Sequence, residues 1–201
     1  MNHSVVIIGA GVFGLTTAIE LKSKYPTVSV KILDRSSLPA IDAASTDISK
    51  IVRSDYYYDP ELNKYAIESI NRWKQYNQDN LNSGGEILYN EIGFVSFTAD
   101  SIDDLNDRCC DEFERVFNDD GRLKLVEEFP GFIDILRNFP FCIVNRQAGW
   151  VHATEAMKYL IKRAESLNVE IISGINGEFV KLENKTDTNM VEFVVTRGNN
   201  Y

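Results

Sequence analysis

Ser4-Val5-Val6-Ile7-Ile8-Gly9-Ala10-Gly11-Val12-Phe13-Gly14-Leu15-Thr16-Thr17-Ala18 is the stretch on which the reading of this chain turns. Val5 to Ile8 form a short β-branched run, the pattern of a strand buried on both faces of a parallel sheet. Gly9, Gly11 and Gly14 follow at G-x-G-x-x-G spacing. Gly9 permits a tight turn, Gly11 lets the backbone approach a pyrophosphate, and Gly14 lets the next helix pack against the strand. That helix begins near Val12, and the amides of Val12 and Phe13 point its positive end at phosphate charge.

Glycine spacing alone is weak evidence, and the flanking sequence strengthens it. The helix carries Leu15, Ala18 and Leu21 on one face. A second apolar run over residues 28–33 ends in Asp34, 20 residues past Gly14. A carboxylate at that distance accepts hydrogen bonds from an adenosine ribose. An acid there favours a free 2′-hydroxyl, hence FAD or NAD over NADP. The plainer alternative is a βαβ unit whose glycines only turn the chain and whose Asp34 is a surface acid. The joint fit of strand, turn, helix, strand and acid argues for the nucleotide.

Composition sets the outer limits. With 201 residues, 44% hydrophobic and 25% charged, the chain has the make-up of a soluble globular protein. A net charge of −9 argues against nucleic acid and anionic membranes as partners. The three cysteines, Cys109, Cys110 and Cys142, suggest a reducing compartment, and a cytoplasmic or peroxisomal location is expected. Cys109 and Cys110 read as two thiols on a helix. With only His3 and His152 as histidines, no metal-ligand spacing is present, and no metal is expected. No apolar run reaches the length of a membrane span, and the N-terminus enters the first strand without a leader.

Further along, residues 43–47 are a small-residue loop before Ile48-Ser49-Lys50-Ile51-Val52-Arg53. Asp59-Pro60-Glu61 predicts a helix start, with Leu62, Ala66, Ile70 and Trp73 on its apolar face, running to about Tyr76. Residues 87–89 and 94–97 predict two strands around Gly93. A helix is expected to carry Ile102, Leu105, Cys109, Phe113 and Val116. Residues 127–132 and 138–141, with two prolines and four phenylalanines, suggest irregular structure. A further helix, capped by Thr154, carries Ala153, Met157, Leu160, Ile161, Ala164 and Leu167. A strand at 169–172 and a hairpin of residues 177–182 and 190–196 complete the chain. His152 reads as a helix-entry residue, and the Tyr56-Tyr57-Tyr58 cluster as packing or a pocket wall.

The glycine turn with Asp34 resembles the FAD-binding N-terminus of the D-amino-acid-oxidase-like flavoproteins. Ala43-Ala44-Ser45-Thr46-Asp47-Ile48-Ser49-Lys50-Ile51-Val52-Arg53-Ser54-Asp55-Tyr56 is similar to their sarcosine oxidase branch, nearest the fructosyl amino acid oxidases (amadoriases) and the saccharopine or pipecolate oxidases. The resemblance implies an α/β, Rossmann-like FAD-binding domain of the GR2 type, interrupted by part of an α+β substrate domain. Residues 1–85 and 145–201 are assigned to the first and 86–144 to the second. The implied reaction oxidises the C–N bond of a secondary amine or N-substituted amino acid with O₂, giving imine and hydrogen peroxide.

Site residues follow from the same resemblance. Lys50 matches a basic residue set against the flavin ring, and Arg53 one that pairs with a substrate carboxylate. As isolated residues, both also fit surface charges after a loop. Arg35, Ser36, Ser45 and Thr46 are candidates for adenosine and pyrophosphate contacts. The backbone of Val180 matches an adenine contact, with Phe179 an alternative register. The partners expected are a small amine or amino acid and O₂, with the chain a monomer. Members of this branch run on beyond this chain's length, into the segment that carries much of the substrate pocket and a flavin-linking cysteine. None of the three cysteines sits in that position. An N-terminal fragment or truncated product is therefore expected. The alternatives are an NAD-dependent dehydrogenase and a non-catalytic flavoprotein fragment.

Overall fold

The computed structural model describes residues 4–56, 59–98, 114–116, 118–139, 141–185, 191–199 and 201. The chain divides into two compact units, Met1–Ser49 with His152–Tyr201, and Lys50–Val151.

In the first unit, β1 (Ser4–Ile8), β2 (Ser29–Asp34) and a strand at Glu170–Ser173 form a parallel sheet with β2 in the centre. Ser4 pairs with Ser29 and Ile8 with Leu33, while Lys31 to Asp34 pair with Glu170 to Ser173. Helix α1 (Val12–Lys24) connects β1 to β2 and buries Leu15, Ala18 and Ile19. Lys22 and Lys24 lie in its last turn, where cations complement the helix dipole. The Lys22 Nζ also donates to the carbonyls of Pro26 and Val28. Central β2 buries Val30, Ile32 and Leu33, whereas Val5 to Ile7 of β1 are half-buried and Ile8 is exposed. The expectation of burial on both faces therefore holds better for β2 than for β1, which has one hydrogen-bonded neighbour among the described strands.

The second unit starts with β3 (Lys50–Val52) and α2 (Pro60–Asn82), then β4 (Tyr89–Asn90) and β5 (Phe94–Thr98). Asp59 caps α2 by accepting from the Leu62 N–H, with Pro60 in its first turn. The helix runs on past Tyr76 because Tyr76 and Ile70 are both buried along it. Asn77 then fastens it to β4: its Oδ1 accepts from the Leu88 and Tyr89 amides and its Nδ2 donates to the Tyr89 carbonyl. The unit continues through β6 (Glu114–Val116), α3 (Asp119–Glu128), a 3₁₀ turn at Pro130–Phe132, α4 (Ile133–Asn138), β7 (Phe141–Asn145) and β8 (Gly149–Val151). Two antiparallel sheets result, in the orders β3-β8-β4 and β5-β7-β6. Leu125, Leu136, Cys142 and Val144 are buried beneath Phe97, Phe129 and Phe132.

The chain returns to the first unit with α5 (Ala153–Ser166), β9 (Glu170–Ser173, the third strand of the parallel sheet), β10 (Phe179–Asn184) and β11 (Val191–Thr196). Helix α5 packs on α1 through Ala153, Ala156, Met157, Leu160 and Ala164. Strands β10 and β11 form the expected antiparallel hairpin.

Strands β4 and β5 do lie on either side of Gly93 as expected, and each joins a different sheet. Several expectations need correction. Val116, expected on a helix, lies in β6, which pairs with β7. The rest of that helix, with Cys109 and Cys110, lies outside the described residues, as do Tyr57 and Tyr58. Residues 119–139 and 141–145 form helices, a 3₁₀ turn and a strand, and Phe129 and Phe132 of the first phenylalanine-rich segment pack on the buried Leu125, Leu136, Cys142 and Val144. The N-cap of α5 is His152, whose side chain does not cap the helix, while the Thr154 hydroxyl and amide both donate to the Asp47 carbonyl. The two units meet in sequence at 49/50 and 151/152, where the sequence suggested 85/86 and 144/145. Strand β3 pairs with β8 and α2 is fastened to β4, which keeps residues 50–85 with the second unit.

Leu160 is fully buried between α5 and its neighbours. Leu160→Ala is expected to cost about 3 kcal/mol, read by chemical denaturation. In the second unit, buried Tyr89 donates its hydroxyl to the Gln147 carbonyl. Burial, then the nearby Glu91 charge, push its pKa up to about 12. The folded value exceeds the unfolded value of about 10, so the associated stability is complete below about pH 10 and is lost towards pH 12. Tyr89→Phe is expected to cost about 1 kcal/mol at neutral pH and to flatten that alkaline decline.

Candidate functional site

The parallel sheet ends in a cleft of about 290 Å³ lined by Ile8, Gly9, Leu33, Asp34, Arg35, Gly177, Glu178 and Phe179. Its floor is the turn after β1. Gly9 has φ +101°, open to glycine and strained for other residues. Its N–H donates to the Leu33 carbonyl at 2.7 Å, stitching the turn to the end of β2. Gly11 is the N-cap of α1, and no side chain caps it. The first-turn amides are thus left to an external acceptor, the arrangement that suits an anion.

The three glycines differ in what surrounds them. A Cβ on Gly14 would lie 1.9 Å from the Gly9 carbonyl oxygen, so no side chain fits there. A Cβ on Gly11 would meet only the Ser45 Oγ, at an ordinary 3.7 Å. The space over Gly11 is therefore not filled by this unit's own backbone. Phe13 is 86% exposed beside it, and Val12 opens the helix.

Asp34 ends β2 with both carboxylate oxygens engaged. Oδ2 accepts from the Ala10 amide and Oδ1 from the Ser36 amide, each at 2.8 Å. Each oxygen keeps a further lone pair for a sugar hydroxyl. Arg35 lines the cleft with its side chain exposed, 3.7 Å from the Asp42 carboxylate. The Thr46 Oγ1 is buried and meets no hydrogen-bond partner among the described residues. A buried hydroxyl left unsatisfied is costly, so this one suits a polar ligand group. Glycine turn, open cradle, acid and orphaned hydroxyl all fit a dinucleotide.

The structure thus gathers Gly9, Gly11, Val12, Phe13, Gly14, Asp34, Arg35, Ser36, Ser45 and Thr46 in one unit. Val180 lies one residue beyond the cleft wall and is exposed, while Phe179 lines the cleft. Sequence reasoning missed Ala10, Gly177 and Glu178. Gly177 is explained by crowding: its Cβ would lie 2.1 Å from the Ile172 carbonyl and 2.5 Å from that of Asp34.

Lys50 and Arg53 belong to the second unit. Lys50 opens β3 opposite Val151 and is exposed. The Arg53 guanidinium lies over the rings of Tyr56, at 5.8 Å, and Phe94, at 5.7 Å. Its Nη1 is 3.4 Å from Asp55 Oδ2, whose side chain is 2% exposed. Asn145 donates to the other Asp55 oxygen and to the Ser54 hydroxyl, and its own oxygen accepts from the Gln147 and Ala148 amides. A buried carboxylate needs such partners. They give Arg53 a fixed anchor while its side chain stays 43% exposed. Neither Asp55 nor Asn145 was singled out from sequence, since their link spans 90 residues.

Among the described residues, no group of three or more His, Cys, Asp or Glu side chains could hold a metal ion. No described helix is long and apolar enough to cross a membrane.

Comparisons with known proteins agree with this geometry. The chain is 29% identical over 191 residues to L-saccharopine oxidase of Schizosaccharomyces pombe, covering 90% of this chain and 42% of that protein. The fructosyl peptide oxidase of E. terrenum superposes with a TM-score of 0.78 at 18% identity, over 100% of this chain and 47% of the other. Fructosamine oxidase (Amadoriase II) of Aspergillus fumigatus, solved with FSA, gives 0.68 at 23% identity, over 98% and 46%. The two solved structures establish the fold. The chain spans less than half the length of each of these relatives. The family described as DAO, FAD dependent oxidoreductase, matches residues 4–198, and the chain belongs to that family.

Proposed function

We propose that this chain forms the FAD-binding part of an oxidase acting on the C–N bond of a secondary amine or N-substituted amino acid. The observation that carries the proposal is the cleft at the end of β1 and β2. There an uncapped helix N-terminus, an open Gly11 and the Asp34 carboxylate converge in a chain of an FAD-dependent family. The likeness to L-saccharopine oxidase supports an amine joined to amino-acid carbon as the substrate class. An amine and O₂ would be the partners, imine and hydrogen peroxide the products, and the monomer the working form.

In this reading the amides of residues 11–13 bind the diphosphate, Asp34 the ribose, and Arg35, Ser36, Ser45 and Thr46 the surrounding polar groups. FAD, when bound, would supply a two-electron acceptor for the amine, which O₂ would reoxidise with release of hydrogen peroxide. Lys50 supplies positive charge on the flavin side. Arg53, anchored by Asp55 and flanked by two rings, offers its remaining N–H donors to a substrate carboxylate. A second reading is a chain that binds flavin without turnover.

Reconstitution with FAD, followed by gel filtration, tests the proposal. Flavin absorbance is expected to co-elute with the protein, and a colourless protein would overturn the assignment. Gly11→Ala is expected to keep the fold, since its Cβ meets only an ordinary contact, and to weaken FAD binding about tenfold, about 1.4 kcal/mol. A catalase-sensitive peroxide assay over a panel of secondary amino acids separates the two readings: flavin binding without peroxide supports the second. Where turnover is present, Arg53→Lys is expected to raise KM for carboxylate-bearing amines by about tenfold with a smaller effect on kcat.

A further inference from the structure

The Asp34 carboxylate holds two backbone amides, and they lie on opposite sides of it in sequence. Ala10 belongs to the glycine turn and Ser36 to the loop after β2. The turn they frame is built from residues with high backbone freedom, and glycine loses more of it on ordering than any other residue. Gly9 is fastened by one bond, to the Leu33 carbonyl. Ala10 is fastened by a charge-assisted bond, of the stronger kind. Its N–H is consequently spent within the protein, leaving the amides of residues 11–13 to face a phosphate.

We infer that Asp34 is a positioning residue for the diphosphate turn as well as a ligand for the sugar: its carboxylate sets residues 9–11 in their anion-binding shape before any nucleotide arrives. The inference rests on the reading of the cleft as the FAD site. One side chain then serves two neighbouring parts of the cofactor, the ribose hydroxyls directly and the diphosphate through the turn. Loss of the carboxylate weakens recognition of the diphosphate even when the ligand has no sugar hydroxyls.

The test is a cycle of two ligands and two proteins. Binding of ADP and of 2′,3′-dideoxy-ADP is measured by calorimetry on the wild-type chain and on Asp34→Asn. The wild type is expected to bind the dideoxy nucleotide more weakly than ADP. Asp34→Asn is expected to bind the dideoxy nucleotide about tenfold more weakly than the wild type does. Equal affinity of the two proteins for the dideoxy nucleotide would overturn the inference, since Asp34 would then act on the sugar alone. Hydrogen exchange gives a ligand-free readout. In the wild type the Ala10 and Ser36 amides are expected to be protected. In Asp34→Ala, which leaves neither oxygen, both are expected to exchange about tenfold faster while Gly9, bonded to Leu33, keeps its rate. Unprotected Ala10 and Ser36 amides in the wild-type chain would overturn the inference without recourse to the variant. If the wild type binds neither nucleotide, the FAD reading falls and the exchange rates alone decide the role of Asp34.

Discussion

The tightest constraint in the nucleotide unit is the approach of the first turn of α1 to the Gly9 carbonyl oxygen, which leaves no room for a side chain at Gly14. This contact sets how α1 leaves the sheet. It lets Leu15, Ala18 and Ile19 reach the buried face and brings α1 against α5. The N-terminus of the helix thereby stays at the end of β1, where β2 also ends. Without that approach the amides at residues 11–13 would not face the carboxylate-bearing strand end. Sheet packing and the placement of the uncapped helix N-terminus thus share one steric requirement.

The parts of this architecture that were legible in the sequence are those encoded over short distances. The run into Gly9, the glycine spacing and the interval to Asp34 all lie within 31 residues, and β1, α1 and β2 follow from them. The stripe on α5 and the hairpin of β10 and β11 are equally local. What escaped depends on pairing across long separations. Strand β8 sits between β3 and β4, and β7 between β5 and β6, so neither sheet is a simple meander. The phenylalanines near Pro130 and Pro140 resemble a loop in composition. Phe129 and Phe132 act as core because β7 supplies Cys142 and Val144 beneath them.

The candidate site shows the same division. Asp34 was legible by its interval from the glycines, but its bonds to Ala10 and Ser36 were not, because a carboxylate in sequence carries no record of its acceptors' use. In the second unit, Arg53 stood out as a cation in a recognisable segment. The charge that steadies it is Asp55, and the amide that steadies Asp55 comes from β7. Both units therefore place a buried or half-buried carboxylate behind a candidate binding group. The carboxylate holds donors in place that would otherwise compete for water.

Gly177 carries this logic to the far end of the chain. It sits where the segment after β9 crosses over the end of β2, against the carbonyls of both Ile172 and Asp34. Any larger residue there would shove the Asp34 backbone, and with it the acid that clasps Ala10. A change at codon 177 would then mimic a cofactor-site lesion in a genetic screen, although it lies more than 160 residues from the glycine motif.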